Sequence, residues 1–283
     1  MTVDPIVAIE SLGYTEREAA FLYLVAVHSG YFLRRQFDYF IDRNKGAIVM
    51  RFLEKARIAG HIEFLDYKQG WHVYHLFSRA IYRLIGDVES KNRRRKGDAQ
   101  VRARLMTLDY VLENNDDHYL ESEADRFRFF EQDRRLATDL FAGDDGRLYP
   151  LLASFPLSLT DRTRPAQSLV RVAFIDEGFA TIEKFLRFLS VAEPLLRALQ
   201  DFELIYVGSS DFNFQVAKAA FWKRLSNTPP RSLGLFDQGV RSVTPRSAAT
   251  VQARFTTFLL GYSYPKFQRS EVRGSTEGLH VGS

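Results

Sequence analysis

The chain has 283 residues, 46% hydrophobic and 26% charged, with 24 phenylalanines and 13 tyrosines to build a core. That is enough for one large domain or two ordinary ones. It contains no cysteine, which excludes disulfides, cysteine nucleophiles and thiolate zinc sites and fits a reducing cytoplasm.

The net charge of +4 is unevenly spread. Residues 31–104 hold 17 Lys and Arg against 8 Asp and Glu, whereas residues 114–160 hold 5 against 10. The basic block is the candidate for nucleic acid. The opening MTVDPIVAIESLG has no basic region followed by an apolar one, so no secretory signal is expected. No apolar run approaches the roughly 20 residues that span a bilayer. A cytoplasmic protein without a membrane partner is expected.

In SLGYTEREAAFLYLVAVHSG, Thr15 and Glu18 have the spacing of a capping box. Ala19, Leu22, Tyr23, Ala26 and Val27 form a helical stripe, and Ser29-Gly30 ends it. FLRRQFDYFI predicts a second helix, with Leu33, Phe37, Phe40 and Ile41 on one side. DRNKG is a polar turn, and AIVMRFLEKARIAG predicts a third helix. There Ile48, Phe52 and Ala56 face inward beside Val49 and Leu53, while Arg51 and Lys55 share another face. The period then changes to two: HIEFLDY and WHVYHLF flank KQG as a β-hairpin.

Three short helices and a hairpin are the order of a winged helix-turn-helix, whose third helix enters the major groove. Here that helix offers Asn44, Lys45, Met50, Arg51 and Lys55, and the hairpin tip offers Lys68. Arg34, Arg35 and the run Lys91, Arg93, Arg94, Arg95 and Lys96 are expected to hold phosphates, as an arm or as a loop against the duplex. His61, His72 and His75 lack a ligand set around them and are expected to be structural. AQVRARLMTLDYVLENN carries the seam Val101, Leu105, Leu108 and Leu112, which docks on the hairpin or pairs with its copy in a homodimer.

The second half starts with a helix capped by Ser122. SLVRVAFIDEG and ELIYVGSS have nearly continuous apolar runs, which predict parallel strands buried on both faces. A long helix interrupted by Pro194 joins them, and another, capped by Ser210 or Asp211, follows. YPLLASFPLSL predicts short strands near a sheet edge. VQARFTTFLLGYSYP suits a helix or a strand.

The expected class is α+β. A winged helix spans 1–88, a basic linker and connecting helix 89–118, a smaller α/β domain with a partly parallel sheet 119–226, and a partly mobile extension 227–283. Asp176 and Glu177 close the first parallel strand, where an α/β nuclease would hold Mg²⁺. Gly178 replaces the lysine such a motif needs. No catalytic residue, cofactor or metal is expected. A restriction-endonuclease-like sheet that lost its chemistry fits this pattern.

The stretch LGYTEREAAFLYLVAVHSGYFLRRQF, the motif VYHLFSRAIYRLIG and the run KNRRRK before a long helix resemble winged-helix DNA-binding proteins of bacterial mobile elements. Over about 230 residues the layout is similar to the replication-relaxation family, where a winged helix precedes a nuclease-like α/β domain. The family's proline-aspartate pair is absent, since Pro156 is followed by Leu157. The resemblance implies a double-stranded-DNA-binding regulator or accessory factor of a plasmid or mobile element. The alternatives are a metal-dependent nuclease or nickase and a winged-helix adaptor for proteins.

Overall fold

The structure, a computed structural model, describes residues 4–41, 46–67, 71–178, 182–225, 252–262 and 264. Asn44, Lys45 and Lys68 lie outside these residues.

Helix α1 (Pro5–Glu10) is capped by Asp4, whose Oδ1 accepts from the Ile6 amide at 2.8 Å. Helix α2 (Glu16–His28) carries the expected capping box at Thr15 and Glu18. Strand β1 (Tyr31–Leu33) precedes α3 (Arg34–Phe40) and α4 (Gly46–Ile58). Strands β2 (Ile62–Tyr67) and β3 (Trp71–Leu76) form the hairpin, and β1 adds to it in the antiparallel order β1-β3-β2.

Strand alternation gives this sheet two apolar faces. Phe32, Ile62 and Leu76 join α2, α3 and α4 in one core, where the Phe37 and Phe52 rings lie 4.1 Å apart. Tyr31, Leu33, Leu65, Tyr67 and Val73 point the other way, into a second core shared with the rest of the chain.

After α5 (Arg79–Leu84), residues 90–97 form a strap with a 3-10 turn at Lys91–Arg93. Helix α6 (Asp98–Glu113) follows. The expected seam is only part of what α6 buries. Leu108 and Leu112 enter the first core, and Val101, Leu105, Met106, Tyr110 and Val111 enter the second. The seam is covered from within the chain, so the homodimer expected through it has no surface there.

The second sheet has the order β4-β5-β6-β7-β8. Strands β4 (His118–Tyr119), β5 (Leu157–Leu159) and β6 (Val170–Asp176) are antiparallel neighbours. Strands β6, β7 (Asp201–Gly208) and β8 (Gln252–Leu259) are parallel, as the apolar runs predict for the first two. Helix α7 (Glu123–Arg128), extended by a π turn at Phe129–Asp133, and α8 (Pro150–Ser154) precede this unit. Helix α9 (Ile182–Leu199) continues through Pro194, and α10 (Phe214–Leu225) leads toward β8. Residues 252–259 thus extend the sheet beyond the expected boundary at 226. Taken together, the described residues are mixed α+β with two sheets, one partly parallel. None of their helices is long and apolar enough to cross a membrane.

Candidate nucleic-acid interface

Helix α4 buries Val49, Phe52, Leu53 and Ala56 and leaves the opposite side in solvent. That side carries Met50, Arg51, Glu54, Arg57 and Ile58, with Ile58 73% exposed. Among the described residues, no acidic side chain pairs with Arg51 or Arg57. The start of α4 is marked by Gly46. A Cβ there would come within 2.8 Å of Arg34 Nη2, so Arg34 lies against the helix N-terminus. Among the described residues, its ion pair is a loose one with Asp38 at 3.6 Å, which is worth little in solvent. Arg34 also reaches Tyr74 electrostatically. Tyr74 shares its sheet face with Phe64 and His72, both exposed. A positive helix start, two arginines and a half-open aromatic sheet face therefore meet on one side of the N-terminal unit.

Two cations expected at this surface are committed elsewhere. Arg35 makes a two-pronged ion pair with Asp109 on α6 at 2.6 and 2.7 Å, and its guanidinium stacks 3.9 Å over the Tyr262 ring. Tyr264 donates to the same carboxylate. Burial opposes the Arg35 charge, but Asp109 outweighs it and raises the pKa. Lys55 turns back to Glu18 and to the Gly13 carbonyl (3.2 Å), over the Tyr14 ring. Glu18 is the capping-box acid, so one side chain both closes α2 and neutralises Lys55.

The cationic run is a pinned strap rather than a free arm. Asn92, buried among the cations, donates through Nδ2 to the Ala26 and Val27 carbonyls (3.0 and 2.8 Å) at the end of α2. Gly30, at φ +78°, leaves room for the Asn92 carbonyl, with which any Cβ would collide. The Lys96 amide donates to the Tyr31 hydroxyl at 2.8 Å. Arg95 grips Glu63, Nε to Oε1 at 2.9 Å, and His75 sits on the same carboxylate at 2.8 Å. Burial pushes Glu63 up, yet Arg95 and His75 hold it below the usual carboxylate range. Burial lowers Lys96, with Arg104, Arg94 and Lys91 adding to the effect. Lys91 and Arg94 stay exposed, Arg94 with a loose Glu89 pair at 3.8 Å, and Arg93 is half-buried with Nε on the Val88 carbonyl at 3.2 Å.

The strap contacts Tyr31, Glu63 and His75, whose side chains alternate with Phe32, Ile62 and Leu76 beneath α4. Strap and α4 therefore lie against opposite faces of the β1-β3-β2 sheet.

The acids at the end of β6 are fully engaged. Asp176 Oδ1 accepts from the Gly178 amide at 2.9 Å, and Oδ2 accepts from the Tyr206 hydroxyl (2.7 Å) and Asn213 Nδ2 (3.0 Å). Asn213 thus serves Asp176, and neither Ser210 nor Asp211 caps α10 directly before Phe214. Lys184 bonds both oxygens of Glu177. Among the described residues, no group of three or more His, Asp or Glu is placed to hold a metal ion. His28, His61 and His75 are buried and shifted toward the neutral form, mainly by burial.

No protein-family model, curated protein or solved structure matches this chain.

Proposed function

We propose that residues 4–88 form a winged helix-turn-helix that binds double-stranded DNA, with α4 in the major groove. Arg51 would contact bases or phosphates, Arg34 and the positive start of α4 would hold the backbone, and the hairpin would lie beside it. The observation that carries this reading is the unopposed Arg51 on a solvent-facing α4, in a chain order of helix–strand–helix–helix–strand–strand. Arg57 joins the set, and Arg35, Lys55 and Arg95 leave it because each is neutralised within the chain. Lys91, Arg93 and Arg94 lie across the sheet from α4 and are expected to add little on a short straight duplex.

The layout keeps the resemblance to replication-relaxation proteins within this reading, as a regulator or accessory factor of a mobile element. Nuclease chemistry at Asp176 is disfavoured, since its oxygens already accept three hydrogen bonds. A gel shift of duplex DNA from upstream of its own gene, with and without Mg²⁺, tests the proposal. A retarded intact band supports it. Cut product would favour the nuclease, and no retention at about 0.15 M salt would favour a protein adaptor.

A further inference from the structure

A cleft of about 980 Å³ opens between the C-terminal end of α2, the strap and residues 143–155. That is the upper end of the roughly 300–1,000 Å³ of small-molecule sites. No residue of α3, α4, β2 or β3 lines it, so it is distinct from the surface proposed for DNA.

Three arginines line it, the exposed Arg147 and two that lie further inward, Arg104 and Arg126. Arg126, 8% exposed, donates through Nε to the Leu120 carbonyl (2.8 Å) and through Nη1 to the Leu152 carbonyl (2.7 Å). Arg104, on α6, has one long bond among the described residues, 3.5 Å from Nη1 to the His28 carbonyl. Among the described residues, neither forms an ion pair with a carboxylate. Each is depressed chiefly by burial, Arg126 to about 10, with Glu123 opposing the shift and Arg104 adding to it. His28, 7% exposed, lines the same cleft, and its Nε2 has no partner among the described residues. By contrast, Arg35 is neutralised by Asp109, and Arg171 by Asp117 and Glu203. Two neighbouring inward cations that no carboxylate hydrogen-bonds, although Glu123 lies near Arg126, are expensive to keep, and a guanidinium's N–H groups form a fork suited to an oxyanion.

The lining also carries acids, beside the exposed Lys91 and Arg147. The acids are Glu121, Glu123, Asp125 and Asp145, and Tyr23 already donates to Glu121. Carboxylates in the lining repel a polyanion such as DNA but accept hydrogen bonds from hydroxyl groups.

We propose that this cleft binds a small metabolite with one anionic head, phosphate or carboxylate, held by Arg104 and Arg126, and a hydroxyl-rich body facing the carboxylates of the lining. The α/β half would thereby hold a ligand site walled partly by the strap.

Isothermal titration calorimetry of the full chain, without DNA, tests it with three probes: ribose 5-phosphate, inorganic phosphate and acetate. Saturable binding of at least one probe is expected, the stronger of phosphate and acetate naming the head group. Ribose 5-phosphate is expected to bind more tightly than phosphate if the head is a phosphate. Arg104→Gln is expected to weaken binding about tenfold or more. Should that variant fail to fold, Arg104→Lys, which keeps the charge and loses the fork, is expected to weaken it measurably. No saturable binding up to about 10 mM of any probe, or binding unaltered in the folded variant, would overturn the proposal and leave both arginines as internal struts.

Discussion

At the scale of single residues, partners decide which cations are available. Arg34 and Arg35 are neighbours, yet one faces solvent and the other is clamped by Asp109. Their partners explain why the difference is invisible in the sequence: Asp109 lies 74 residues from Arg35, and Glu18 lies 37 residues from Lys55. The local capping box at Thr15 and Glu18 is legible because its parts are three residues apart. Arg51→Ala should therefore weaken duplex binding by about tenfold, the scale of one good base or phosphate contact, with little change in melting temperature. Arg35→Ala should do the reverse. It strands the buried Asp109 and should cost about 3 kcal/mol of stability, as read by urea denaturation. His28 makes a pH prediction. Burial first, then Arg126 and Arg104, push its pKa from 6.5 down to about 3. Between those values the unfolded chain binds a proton that the folded one refuses, so stability falls as pH drops from about 6.5 toward 3. The slope from this group is at most about 1.4 kcal/mol per pH unit. Denaturation of His28→Gln across that range should show a shallower slope than wild type.

At the scale of elements, periodicity carried most of the reading. The 3.6 spacing in α2 and α4 and the alternation in β2 and β3 are local and strong, and each element stands where it was expected. The strap shows the limit of charge runs. KNRRRK reads as a solvated arm, but the one uncharged residue in it, Asn92, is the anchor that turns it into a fixed loop. Gly30→Ala should be costly for the same reason. It forces a side chain into a positive φ and against the Asn92 carbonyl, a loss of at least about 2 kcal/mol, measured as a lowered denaturation midpoint. The seam of α6 was legible as apolar, but its covering came from two cores at once, and a linear pattern does not say which partner fills a groove. Strand β8 was ambiguous because only its pairing with β7 identifies it.

At the scale of the whole molecule, α6 joins what the sequence divides. Leu108 and Leu112 serve one core and Leu105 and Met106 the other, on the same four turns of helix. The two units should therefore unfold together. Calorimetry should give one transition, and Leu105→Ala, costing about 2–5 kcal/mol, should lower that single transition rather than split it. The charge asymmetry remains, but internal pairs remove Arg35, Lys55 and Arg95 from it. The central measurement is the salt dependence of duplex affinity for wild type, Arg51→Ala and the double variant Lys91→Ala, Arg94→Ala. With Arg34, Arg51 and Arg57 on the α4 side, the wild-type slope of log affinity against log salt should be about −3. Arg51→Ala should make it shallower by about 1, and the strap variant should leave it unchanged. A slope near zero, or one that only the strap variant alters, would contradict α4 as the DNA-binding helix.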